Sequence, residues 1–153
     1  RQSLTAVDFL HSHHLIHRDI KPASLLISSS GHVTITNLGN LRKLAKTTGQ
    51  AASVVGTTCY FAPERIVGVA FTNSVDIWAL GLTVLEACMQ AYPFSAHQYN
   101  YIALLEHIVQ SGSPIEQAGE GLSPPLRDLL GRCLEKQARD RPGAQELLSS
   151  PLG

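Results

Sequence analysis

The chain has 153 residues, of which 44 % are hydrophobic and 16 % charged, so it can fill a core and is not wholly disordered. Twelve Lys and Arg balance twelve Asp and Glu, a formal net charge of zero. That balance argues against a broadly basic nucleic-acid binder and against an acidic tail.

In chain order, Leu4, Val7, Leu10 and His14 recur at helical spacing and predict an amphipathic helix over 3–14. A loop with His17, Arg18, Asp19 and Pro22 follows. The apolar runs 25–28 and 33–36 flank a Ser-Ser-Gly-His turn and read as a β-hairpin. Residues 37–61 are rich in Gly, Thr, Ser, Asn and Ala and read as one long loop, a functional or disordered segment.

Asn73 and Ser74 are good N-caps for a helix reaching Met89 that is apolar almost all round, which places it in the middle of a core. Tyr92-Pro93-Phe94 follows it, then an amphipathic helix over 98–110 with Tyr101, Ile102, Leu104, Leu105 and Ile108. A Gly/Pro loop spans 111–123. Pro124 and Pro125 open a further helix with Leu126, Leu129, Leu130 and Leu134 inward, and 143–149 form a last short one.

No apolar run approaches the ~18 residues a membrane helix needs. Cys59, Cys88 and Cys133 are odd in number and lack CxxC spacing, which suits reduced thiols in an intracellular, cytoplasmic setting. The opening Arg1-Gln2-Ser3 has neither Met nor a signal layout and reads as interior to a longer chain.

The string His17-Arg18-Asp19-Ile20-Lys21-Pro22-Ala23-Ser24 resembles the catalytic loop of protein kinases, H-R-D-x-K-x-x-N. Asn37-Leu38-Gly39 stands where the family has D-F-G, and Gly56–Glu64 is close to G-T-x-x-Y-x-A-P-E. Ser74–Gly81 resembles the helix that runs through the family's C-terminal lobe, and Arg139–Pro142 its closing R-x-R-P. Five motifs in family order imply a mainly α protein-kinase-like C-terminal lobe over 1–153, with a short β-hairpin at the catalytic loop and no N-terminal lobe. Residues 17–24 correspond to the catalytic loop and 37–64 to the activation segment. The wording is closest to NIMA-related serine/threonine kinases.

The resemblance implies roles residue by residue. Asp19 accepts the proton of the substrate hydroxyl, and Lys21 neutralises the γ-phosphate of ATP, a mark of serine/threonine kinases. Thr57 bonds both of them. Ser24 and Asn37 occupy the family's two Mg²⁺-ligand positions, normally Asn and Asp, and Mg²⁺ strongly prefers anionic oxygen. ATP and Mg are therefore the family's cofactors, with binding doubtful here. Arg141 pairs with Glu64, Asp76 accepts hydrogen bonds from the backbone around His17 and Arg18, and His17 packs on the loop's core. Arg18 pairs with a phosphorylated side chain, for which Thr47, Thr48 and Ser53 are candidates.

The Gly-rich loop and the strand lysine of the N-terminal lobe are absent. Three readings follow: a pseudokinase that binds or scaffolds, the C-terminal half of an active kinase, or a truncated product. The partner is another protein or the missing N-terminal lobe, with no nucleic acid and no membrane. The nearby His11, His13, His14 and His17 are not read as a metal site, because the kinase layout already accounts for His11 and His17. Trp78 on its apolar helix reads as core, and Arg42, Lys43 and Lys46 as a solvated loop face.

Overall fold

A computed structural model describes residues 1–44, 55–95 and 100–150. Helix α1 (Gln2–Ser12) buries Leu4 and Val7. It stops two residues short of the predicted end because His14 turns into the left-handed region at φ 58°. Strand β1 (Leu15–Ile16) leads directly into the 17–24 loop, which closes in a 3₁₀ turn at Pro22–Ser24. The hairpin is β2 (Leu25–Ile27) and β3 (Val33–Ile35), one residue shorter on each arm than predicted, with Leu26 opposite Thr34.

A second ladder lies outside the sequence reading. Strand β4 (Arg42–Lys43) pairs antiparallel with β1, setting Leu15 against Lys43 and Ile16 against Arg42. Two-residue strands have no alternation to detect. Their effect is large all the same: the ladder clamps the start of the 17–24 loop to the end of the 38–40 turn, so the two segments face each other.

The expected single long loop over 37–61 is thus structured at both ends among its described residues. A 3₁₀ turn occupies Leu38–Asn40 and another Thr58–Tyr60. Helix α2 (Pro63–Ile66) follows at once, begun by a proline whose missing N–H costs nothing at that position. Thr47, Thr48, Ser53 and Lys46 lie outside the described residues.

Helix α3 (Ser74–Met89) is the axis of the fold and is buried on all sides over most of its length, with Trp78, Ile77, Leu82 and Leu85 fully covered. Within it the buried Thr83 hydroxyl donates to the Ala79 carbonyl at 2.7 Å, whereas the indole N–H of the buried Trp78 has no hydrogen-bond partner among the described residues. The helix ends at Gln90 in the left-handed region. Helix α5 (Pro124–Cys133) packs on it, and α6 (Ala144–Leu148) packs on α1. A side chain at Gly81 would place Cβ 2.6 Å from Cys133 Cβ, so glycine sets the α3–α5 approach.

Helix α4 (Tyr101–Gln110) is narrower than its sequence suggests. Leu104 and Ile108 are buried, whereas Tyr101 and Ile102 are exposed. The predicted loop 111–123 contains a 3₁₀ turn at Pro114–Ala118. No helix among the described residues is long and apolar enough to cross a membrane.

Candidate active site

The site is built by tying loops to α3. Asp76 sits in the first turn of that helix, where the positive end of the helix dipole favours an anion. It is almost fully buried, and its carboxylate takes three partners. Oδ2 accepts from the His17 amide at 2.8 Å, Oδ1 from the Arg18 amide at 2.9 Å, and His11 Nε2 lies 3.0 Å from Oδ2. Those bonds fix where the loop begins.

His17 is fully buried and bridges two strings of backbone. Its Nε2 lies 2.8 Å from the Thr36 carbonyl, and its Nδ1 accepts the Asp19 amide at 3.3 Å. The pair of bonds requires the proton on Nε2. Arg18 has φ 70°, and its Nε donates to the Asn40 carbonyl at 2.7 Å. Burial lowers its pKa and the nearby positive Arg42 lowers it further, while Asp76 works the other way. Gly56, at φ 126°, runs so close to the Arg18 carbonyl that a Cβ there would stand 2.4 Å from the oxygen.

Asp19 is 6 % exposed and lies where three segments meet. Its Oδ1 accepts the Thr57 amide at 2.9 Å and the Thr57 hydroxyl at 2.7 Å. Lys21 Nζ donates to the Thr57 hydroxyl at 2.5 Å and stands 3.4 Å from Asp19 Oδ2. Asn37 Nδ2 donates to Oδ2 at 2.9 Å, with Asn40 Nδ2 at 3.5 Å. Burial opposes ionisation of Asp19, but the hydrogen bonds from Thr57 and the charge of Lys21 outweigh it and hold the carboxyl below its ordinary range. An ionised carboxylate in contact with an ammonium and a hydroxyl can accept a proton from a hydroxyl placed against it.

Ser24 is turned away from this centre. It is fully buried, donates to the Lys21 carbonyl at 2.7 Å and accepts the Lys21 amide at 2.9 Å, so its hydroxyl caps its own loop. Asn37 is neutral, and its amide nitrogen is committed to Asp19. Among the described residues, no group of three or more His, Cys, Asp or Glu side chains converges as a metal site. Mg²⁺ is a hard cation that takes carboxylates and phosphates in near-octahedral order. This donor set, a saturated hydroxyl and a neutral amide, does not fit the two Mg²⁺ ions that the kinase resemblance implies.

Beneath the site, Arg141 and Glu64 form a bidentate pair, Nη1 to Oε1 at 2.9 Å and Nη2 to Oε2 at 3.3 Å. The guanidinium is fully buried and also donates to the carbonyls of Ser74 and Glu135, which ties α2 to the start of α3 and to the C-terminal turn. Its carbon lies 5.2 Å from the centre of the buried Trp78 ring.

Two contributors, Asn40 and Arg65, lie outside the sequence reading, and His11, which the kinase layout accounts for, is given no partner there. Arg65 donates to the Arg18 carbonyl at 3.0 Å and to the Val55 carbonyl at 2.6 Å, and its guanidinium lies 3.6 Å from the centre of the Phe61 ring. Burial lowers its pKa to about 10. The aromatic four residues before the arginine was the available signal.

A protein kinase domain family model matches residues 1–152. Mitogen-activated protein kinase kinase 2 of Arabidopsis thaliana is 39 % identical over 158 residues, covering 99 % of this chain and 43 % of that protein. Mitogen-activated protein kinase kinase SIPKK of Nicotiana tabacum is 39 % identical over 158 residues, 99 % of this chain and 44 % of that protein. Mitogen-activated protein kinase kinase kinase 1 of Homo sapiens is 37 % identical over 157 residues, 99 % of this chain and 10 % of that protein. The chain spans less than half the length of these relatives.

Proposed function

This chain belongs to the protein kinase domain family, and from that premise we propose that it is the substrate-side, C-terminal lobe of a serine/threonine-kinase-like domain with a degraded magnesium site, a pseudokinase lobe that acts by binding another protein. The observation that carries this reading is the state of the two ligand positions. Ser24 spends its hydroxyl on Lys21, and Asn37 spends its amide on Asp19. Neither offers the anionic oxygen that a bridging Mg²⁺ takes beside phosphates.

A second reading is favoured by a different observation: Asp19, Lys21 and Thr57 are in mutual contact. In that reading the chain is the C-terminal half of an active ATP-dependent kinase. Asp19 receives the proton of a Ser or Thr hydroxyl, and Lys21 offsets the γ-phosphate charge. The relatives found are kinases of mitogen-activated cascades by name, while the NIMA-related resemblance keeps only its motif wording. The partner in the first reading is another protein or the N-terminal lobe of the same domain. The reduced thiols suit an intracellular site.

The test joins this chain to a kinase N-terminal lobe with an intact strand lysine and measures transfer from radiolabelled ATP to a generic protein substrate. Loss of one transition-state electrostatic contact costs ~10²–10³ in rate, and here two are altered together. The wild-type fusion is expected to be silent, and Ser24→Asn with Asn37→Asp to gain Mg²⁺-dependent nucleotide affinity. Wild-type transfer that Asp19→Ala abolishes would establish the second reading instead.

A further inference from the structure

Asn37 does more than lack a charge. The backbone there is left-handed, φ 63° and ψ 45°, a conformation that asparagine adopts more readily than most residues. It aims the side chain at Asp19, 2.9 Å away. A carboxylate only accepts, so the amide must present its NH₂ group to Asp19. The neighbouring turn reinforces the grip. Asn40 brings a second amide towards the same oxygen, and its carbonyl takes the Arg18 guanidinium. With Thr57 and Lys21 on the other side, the Asp19 carboxylate is surrounded by donors from the 17–24 loop, the 37–40 turn and the segment around Thr57.

An aspartate in the same backbone conformation would put a second carboxylate where the amide stands. Two carboxylates at that separation cannot both ionise unless a cation lies between them. We infer that Asn37 is a positioning residue that takes the place of a cation: its amide holds Asp19 against Thr57 and Lys21, so the three segments stay joined without any metal ion. This deepens the proposed reading of a degraded magnesium site and rests on it.

The test is a set of melts of the 153-residue chain in EDTA and in excess Mg²⁺, with hydrogen exchange at the Thr57 amide as a local readout. Wild type is expected to melt at one temperature in both buffers, with Thr57 protected. Asn37→Asp should lose about 4–8 °C in EDTA and recover most of it in Mg²⁺, because the facing carboxylates then form a hard-cation site. Asn37→Gly keeps the left-handed backbone and removes the donor, so it should lose stability and Thr57 protection in both buffers. The swap Asp19→Asn with Asn37→Asp rebuilds the bond in reverse and should melt higher in EDTA than Asn37→Asp alone, a rescue that a merely structural asparagine would not give. If Asn37→Asp is too unstable to melt, Asn37→Gly and the swap carry the same comparison through Thr57 exchange. A metal-insensitive wild type with Asn37→Asp at the wild-type melting temperature in EDTA overturns this inference alone. A wild-type melt that rises with Mg²⁺ alone overturns the functional reading and this inference with it.

Discussion

At the scale of single residues, the buried charges are the most consequential choices in the chain. Arg141 has no exposed side-chain surface, and Glu64 is its charge partner. Removing Glu64 leaves a guanidinium buried with only carbonyls around it. Removing Arg141 strips bonds from Glu64, Ser74 and Glu135 together. Breaking a buried pair on one side costs ~3–5 kcal/mol, a large share of the ~5–15 kcal/mol that holds a domain. In a denaturant cycle, Glu64→Ala and Arg141→Ala should each cost about that much, and the double variant less than their sum, since no orphan charge remains. Strict additivity would mean that the pair is not coupled. The pairing is legible in the motifs, because the family resemblance names both ends. The bonds from Arg141 to two carbonyls are not, because any residue supplies a carbonyl.

At the scale of elements, periodicity served best where it was long. The all-apolar stretch before Met89 has one reading, a central helix, and α3 is that helix. The 98–110 stretch misled about which residues face inward, because Tyr101 and Ile102 sit at the exposed start of α4. Short ladders such as β1 with β4 have no pattern of their own. Gly81 closes the Ser74–Gly81 motif, but the motif does not reveal its packing role: it lies in mid-helix with Cys133 Cβ 2.6 Å from any added Cβ. Alanine there would gain up to ~1 kcal/mol of helix propensity but forces α3 and α5 apart, at a cost of ~1–3 kcal/mol. Gly81→Ala should therefore lower the denaturation midpoint. A raised midpoint would show that the interface yields easily.

At the scale of the molecule, zero net charge and uncovered apolar surface act together. Phe9 is 63 % exposed, Ile27 73 % and Leu38 50 %. Phe9 and Leu38 line an open cavity of about 570 Å³ between α1 and the hairpin, together with Ala6, Leu10, Val33 and Ile35. Apolar patches larger than a few hundred Å² mark interaction surfaces or aggregation liabilities, and neutrality removes the repulsion that would oppose association. The isolated chain should bind a hydrophobic dye and self-associate as concentration rises. Phe9→Ser with Leu38→Ser should reduce both without lowering the melting temperature. A monodisperse wild-type monomer with no dye binding would contradict this.

What the sequence determined by itself is the identity and order of the chemical groups: Asp19, Lys21, Thr57, Glu64, Asp76 and Arg141 stand at motif spacings that a kinase-like site requires, and helical periodicity is a local property that neighbours in the chain reveal. What only the tertiary structure decided is which groups meet. Asn37 faces Asp19 across 18 residues, Arg65 reaches the Arg18 carbonyl across 47, and His11 reaches Asp76 across 65. Ser24, a ligand position by motif, is turned inward to cap its own loop. The physical reason is that a hydrogen-bond partner at such separations is chosen by the packing of α3 against the loops and by the β1–β4 clamp. No local propensity encodes that choice.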